Sequence, residues 1–201
     1  KGFGKCAILN KAIVAASGDY LIISDGDCVP RADFVRVHMD NMAEGRFISG
    51  GYCKLPMHTS MAIGRDDIFS QRAFDPRWLR ENGARRIPFK LSARGAFARL
   101  LNTLTPTTPS WNGHNSSGWQ SDIVAVNGFN EDMSYGGLDR ELGERLVNHG
   151  LIPVQVRHLA ICIHLDHARG YKHKDQIERN HAIRRETRRS GRDWAENGIV
   201  K

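Results

Sequence analysis

The 201-residue chain contains no apolar run approaching the length of a membrane-spanning helix and no secretory leader pattern. It is short of cysteine: Cys6, Cys28, Cys53 and Cys162 lie far apart, with no Cys-x-x-Cys pair among them. That spacing argues against a structural zinc site and for reduced thiols, hence a cytoplasmic setting. Internal repeats and low-complexity linkers are also missing, so the length reads as one domain with a substantial core. Acidic residues number 22 against 29 lysines and arginines, a net charge of +7. Such a surplus favours polyanionic company: nucleotide phosphates, nucleic acid or an anionic membrane surface. Nucleic acid fits least well of the three. A binding face for it would interleave aromatics with basic residues, whereas the Arg-rich tail over residues 171–201 has only Tyr171 and Trp194.

What is present centres on Asp19-Tyr20-Leu21-Ile22-Ile23-Ser24-Asp25-Gly26-Asp27-Cys28. The apolar run Tyr20–Ile23 predicts a buried central strand, and Asp25 and Asp27 fall just beyond its end. Ligands in open α/β sheets bind at that end of the strands. Two carboxylates so close repel unless a cation lies between them, and a divalent metal holding phosphate oxygens is the usual solution. Taken alone, the pair would read better as a polar turn capping a helix that begins at Pro30.

Upstream, Ile8, Leu9, Ala12, Ile13 and Ala16 have helical spacing over Cys6–Ser17, with Gly18 placed to end the helix. A helix feeding a strand is half of a βαβ unit, whose first strand would precede Lys1. Gly2-Phe3-Gly4-Lys5 puts flexible backbone and an ammonium at that helix's start, a place suited to phosphate. Downstream, Phe34, Val35, His38, Met39 and Met42 predict a helix, and Phe47–Tyr52 a strand frayed by glycines. The stretch from about Lys54 to Thr108 reads poorly, with basic helical pieces at Arg77–Arg86 and Ala93–Leu104; it is expected to frame a partner or substrate. After Trp111-Asn112-Gly113-His114-Asn115 come a predicted strand at Ile123–Val126 and the turn Tyr135-Gly136-Gly137-Leu138-Asp139. That turn opens a helix with Leu142, Leu146 and Val147 inward. Two further strands, Ile152–Val156 and Leu159–Leu165, precede a basic helical tail.

Three of these segments, in this order, resemble the inverting glycosyltransferases of family 2, with the GT-A fold. They are Gly2-Phe3-Gly4-Lys5 with Ala7-Ile8-Leu9-Asn10, Gly18-Asp19-Tyr20 through Asp25-Gly26-Asp27, and Asn127-Gly128-Phe129 through Gly136-Gly137-Leu138-Asp139-Arg140-Glu141-Leu142. The later part is closest to the β-1,4-galactosyltransferase family. The resemblance implies an α/β fold, a Rossmann-like mixed sheet flanked by helices, here lacking its first β-α unit, so that the chain is expected to be a fragment or to take its first part from elsewhere. It also implies transfer of a sugar, with inversion, from a nucleotide-sugar such as a UDP-sugar to a glycan or lipid-linked acceptor. Lys5, Asp25 and Asp27 would then hold the donor. Asp27 with His164 would hold Mn2+ or Mg2+, and His167 is the alternative ligand. Asp139 would be the general base, although the start of a helix also suits an N-capping aspartate. Gly137, Leu138 and Trp119 would face the acceptor. The family commonly has Trp-Gly-Gly-Glu-Asp where this chain has Tyr135-Gly136-Gly137-Leu138-Asp139, so Leu138 removes an acceptor-holding carboxylate. The basic tail would suit the inner face of a membrane, or be simply solvated. A sugar-1-phosphate nucleotidyltransferase is a second enzyme reading, but it leaves Asp139 without a role; a nucleic-acid-binding module is a third, and it would show steep salt dependence with no metal requirement.

Overall fold

The structure, a computed structural model, describes residues 4–168 and 173–201. Gly2, Phe3 and Tyr171, which the sequence singles out, lie outside the described residues. In chain order the elements are α1 (Lys5–Ala15), β1 (Tyr20–Ile23), β2 (Cys28–Pro30), α2 (Phe34–Asn41), β3 (Arg46–Ser49) and β4 (Gly51–Lys54). Then come α3 (Met57–Ala62), α4 (Arg65–Phe69), α5 (Pro76–Glu81), α6 (Gly95–Leu104), β5 (Ser116–Trp119) and α7 (Gln120–Ala125). The chain finishes with α8 (Leu138–Asn148), β6 (Ile152–Gln155), β7 (Ile161–His164) and α9 (Lys174–Ser190). The α/β class with mixed strands flanked by helices is as expected, but the strands form two sheets. One has the order β1-β5-β3-β6, the other β2-β7-β4. Each is mixed: β3 pairs parallel with β6, and β4 parallel with β7, while β1–β5, β3–β5 and β2–β7 are antiparallel.

The single strand predicted over Phe47–Tyr52 is really β3 and β4, one in each sheet. The chain crosses between sheets at Gly50, whose amide donates to the Asn115 carbonyl at 2.8 Å. A methyl group on Gly50 would lie 2.0 Å from Oδ1 of Asn115, so only glycine fits beside that buried amide. Strand alternation then sorts the smaller sheet into two faces. Val29, Cys53, Ile161 and Ile163 point one way, into a core completed by Ala73, Phe74, Leu79 and Leu91 from the middle of the chain. Cys28, Tyr52, Lys54 and His164 belong to the opposite face. The middle segment therefore builds a core under this sheet, and its Lys90, Thr107 and Thr108 also line an open groove.

Other expectations also need correction. The strand predicted at Ile123–Val126 is helical: Ile123 and Val126 are buried and Val124 is 42% exposed, a three-residue rather than two-residue period. The strand sits just before it, on Ser116–Trp119, whose buried serines carry no apolar alternation. Pro30 ends β2 instead of opening a helix. Arg31 extends that ladder through its amide to the Ile161 carbonyl and grips Asp33 with Nε at 2.6 Å and Nη2 at 2.8 Å. In α2, Phe34, Val37 and His38 are the buried side chains, while Val35 and Met39 are exposed. Finally, β1 is half-buried and lies at the edge of its sheet among the described residues, not at the centre.

Helix α8 is fixed from below by a fully buried pair. Arg145 meets Glu141 through Nε at 2.9 Å and donates to the carbonyls of Val126 and Gly128. Above it packs α9, where Asn180 Nδ2 donates to the carbonyls of Ser134 and Gly136, both at 2.9 Å. The loop that precedes α8 is thus held at both ends.

A buried relay joins the two sheets. Asn115 Nδ2 donates to the carbonyls of Gly51 and Ala160, so its Oδ1 must accept, and it accepts from His38 Nε2 at 2.8 Å. His38 Nδ1 therefore accepts from Ser117 Oγ at 2.7 Å, and Ser117 in turn accepts from the Tyr20 hydroxyl at 2.8 Å. This direction requires a neutral imidazole, and burial pushes the pKa of His38 down to about 4, against the opposing Asn115 hydrogen bond. Unfolded, His38 would protonate near 6.5. Stability contributed by neutral His38 is therefore full above about pH 6.5 and is lost as pH falls toward 4, by up to about 1.4 kcal/mol per pH unit. An NMR titration should show the His38 ring unprotonated at about pH 5; protonation near its ordinary value in the folded chain would overturn this.

Candidate active site

Beyond the end of β1, the chain makes a turn closed by a 3.0 Å bond from the Cys28 amide to the Asp25 carbonyl. It then enters β2 of the other sheet, so Asp25 and Asp27 stand at the junction of the two sheets. They line a cavity of about 540 Å3 whose other walls carry Lys5, Tyr52, Lys54, His114, Gly137, Asp139, His164 and His167. Sequence-predicted residues from four separate segments therefore meet in one place: α1, the β1–β2 turn, the head of α8, and β7 with the residues just after it.

The Lys5 ammonium lies 2.6 Å from Asp25 Oδ1. Burial works against that charge, but Asp139, Asp25 and Asp27 around it prevail and raise its pKa. Asp27 splits its two oxygens. Oδ1 is 3.6 Å from the Cys28 sulfur, and Oδ2 is 3.5 Å from His164 Nε2 and 3.0 Å from His167 Nε2. Both rings have their other nitrogen on a main-chain carbonyl: His164 Nδ1 on Leu165 and His167 Nδ1 on Ala168, each at 2.8 Å. Carbonyl oxygens only accept, so each Nδ1 carries a proton and each Nε2 is the nitrogen that faces Asp27. Two imidazole nitrogens and a carboxylate oxygen meeting at one point could hold a divalent cation. Backbone hydrogen bonds on the far nitrogen are how proteins orient metal-binding histidines. The donor set of one carboxylate and two imidazoles suits Mn2+, with Mg2+ as the harder alternative. Cys28 approaches the same point, within 4.8 Å of Asp27 and His164 ligand atoms. Hydrogen bonding with Cys162 and burial push its thiol well up, which keeps the sulfur protonated.

Asp139 is the second residue of α8, after Leu138, and Gly137 occupies the N-cap position. The N-capping alternative for Asp139 is thereby corrected. Its carboxyl instead presses on Gly113, where an added methyl would lie 2.6 Å from Oδ1. That Oδ1 is buried and has no hydrogen-bond partner among the described residues. Burial raises the pKa of Asp139; Lys5 opposes, Asp25 adds to it, and the backbone amides of Asp139 and Gly113 oppose. A carboxylate with raised proton affinity and a free lone pair is equipped to take a proton.

Of the three expected acceptor residues, Gly137 and Leu138 line the cavity and Trp119 does not. Trp119 lies outside the cavity, with Nε1 donating to the Ala43 carbonyl and its ring edge-on to Tyr20. Leu138 touches the cavity wall but is only 3% exposed, its side chain packed in the main core with Leu142 and Leu146. Gly137 does line the cavity. Tyr52, Lys54 and His114 also line it, and sequence reasoning missed them. Tyr52 and Lys54 follow from alternation along β4 once the strand is split at Gly50. His114 sits against Tyr52 with ring centroids 4.4 Å apart. Burial, with a smaller contribution from His164 and Lys5, takes its pKa down to about 4 even though Asp25 and Asp27 oppose, so it is neutral here.

No protein-family model matches the sequence, and no curated protein matches it. Among solved structures, the mannosyltransferase PcManGT from Pyrobaculum calidifontis in complex with GDP-Man and Mn2+ is similar at a TM-score of 0.49 and 17% identity. The match covers 84% of this chain and 38% of that one.

Proposed function

We propose that the chain carries the catalytic centre of a metal-dependent, inverting glycosyltransferase that takes its sugar from a nucleotide-sugar, a UDP-sugar on the family resemblance. The observation that carries this reading is the convergence of Lys5, Asp25, Asp27, Asp139, His164 and His167 on one cavity from four separate segments. Asp27, His164 and His167 would hold a divalent cation. Bound there, it would neutralise the donor's diphosphate and make it a better leaving group. Asp25 is held by Lys5, whose ammonium adds a fixed positive charge on the same side of the cavity. Asp139 takes the proton of the acceptor hydroxyl. The acceptor oxygen forms the new bond to the anomeric carbon, the bond to the diphosphate breaks, and the diphosphate leaves with the electron pair. Attack from the face opposite the leaving group inverts the configuration. Neutral His114 and Tyr52 form part of the same cavity wall. The acceptor is a glycan or lipid-linked molecule. The exposed Arg179 and Arg185 of α9 are available to the anionic inner face of a membrane, while Arg188 and Arg189 pair with Glu144 and Glu186, and the free state of all four cysteines accords with a cytoplasmic setting.

A panel of nucleotide-sugars tests this directly. Slow hydrolysis or transfer that requires Mn2+ and stops with chelator is expected for at least one donor. Turnover that is unaffected by chelator would overturn the metal-dependent reading, and a panel with no donor bound or turned over would overturn the transferase.

A further inference from the structure

A second groove opens from the cavity, sharing Tyr52 and His114 with it. Three cations line it, Lys90, Arg140 and Arg157, and no carboxylate does. Lys90 and Arg157 are half-buried, and the Lys90 ammonium stands 5.6 Å above the Tyr52 ring. Among the described residues none of the three has an ion-pair partner, unlike Arg31, Arg72, Arg145 and Arg184, each of which has its carboxylate. Burial, and then the nearby Arg157, lower the Lys90 pKa, the mark of a positive site with nothing to balance it. Holding like charges together out of bulk water costs free energy that an anion of the right size would return. The groove's position says which ligand it serves. The carboxylate–imidazole cluster and Lys5 belong to the cavity alone, whereas Arg140 directly follows Asp139 on α8.

We propose that this groove receives the acceptor, and that the acceptor carries a carboxylate or phosphate close to the hydroxyl that is glycosylated. This rests on the transferase reading above for the word acceptor, but the anion site itself does not. Arg140 and Arg157 offer planar forks that match either anion, and Lys90 adds a point charge over the aromatic ring. A neutral glycan would leave all three unsatisfied.

The test titrates the full chain, with chelator present, with methyl glucuronide, glucose 6-phosphate and methyl glucoside. At least one of the two anions should bind about tenfold or more tightly than the neutral glucoside. Whichever binds more tightly tells a carboxylate acceptor from a phosphorylated one. Paired replacement, Lys90→Gln with Arg157→Gln, should bring the anion down to the glucoside's affinity, while Lys90→Arg should keep it. A melting curve on each variant separates lost binding from lost fold. Equal binding of all three compounds, or undiminished anion binding in the folded double variant, would overturn the proposal. Because no metal or nucleotide is present, a groove that binds anions in a protein that fails the nucleotide-sugar panel would refute the transferase and leave the anion site standing.

Discussion

Asp139→Asn is expected to lower turnover by at least about a hundredfold while leaving the protein folded, since a positioned general base typically contributes that much or more. An amide cannot take the acceptor's proton, yet asparagine nearly matches aspartate in shape. The geometry sharpens the expectation about stability. Asp139 is not the N-cap of α8, so no capping bond is at stake. Its Oδ1 is buried beside Gly113 without a hydrogen-bond partner among the described residues, and burial already disfavours its charge. Replacing the carboxylate by an amide therefore should leave the melting temperature unchanged or raise it, whereas a purely structural aspartate would show the reverse. Binding of metal and nucleoside diphosphate should survive, because Asp27, His164 and His167 are untouched. Near-normal turnover of the asparagine variant would remove Asp139 from the chemistry.

Asp27→Ala is expected to weaken Mn2+ binding by at least about a hundredfold, the upper end of what loss of a mere supporting partner causes at metal sites. It takes away the oxygen on which both imidazoles converge. Nucleoside diphosphate affinity that depends on Mn2+ should collapse with it, while Lys5 and Asp25 keep their 2.6 Å contact. Single alanine variants of His164 and His167 then apportion the remaining ligands. His167 is the nearer to Asp27, at 3.0 Å against 3.5 Å, and its loss should cost at least as much as that of His164. Equal nucleotide affinity with and without chelator would refute the metal assignment.

Much of this cavity was legible in the sequence because its main charges sit on strong local signals. Asp25 and Asp27 end an apolar run, Asp139 opens a patterned helix, and His164 closes a strand. Each signal is written in neighbouring residues, so the spacing could be read. Tyr52, Lys54 and His114 had no such signal: their place depends on a crossing between two sheets that a stretch of six residues does not announce. The same holds for β5. Ser116 and Ser117 are fully buried polar residues; partners far along the chain, Tyr20 and His38, satisfy Ser117, and the Asn112 amide four residues earlier satisfies Ser116. Local hydrophobicity instead pointed to Ile123–Val126, where only the helical period places the two large side chains inside. Trp119, expected at the acceptor, instead has its ring against Tyr20 and its Nε1 on the Ala43 carbonyl. The two-sheet division, the buried relay and the cationic groove are all products of tertiary contacts, which periodicity cannot carry.

The close approach at Gly50 also bears on how this chain can vary over generations. Any side chain at position 50 would collide with Asn115, and any residue at 115 small enough to make room would give up the bonds to His38, Gly51 and Ala160. Neither change has a viable first step without the other, and the pair together takes one hydrogen bond each from a buried imidazole and two main-chain oxygens. The two positions should therefore be inherited as one unit, glycine with asparagine, across chains that share this junction. Drift is left free at exposed neighbours such as Val35 and Met39.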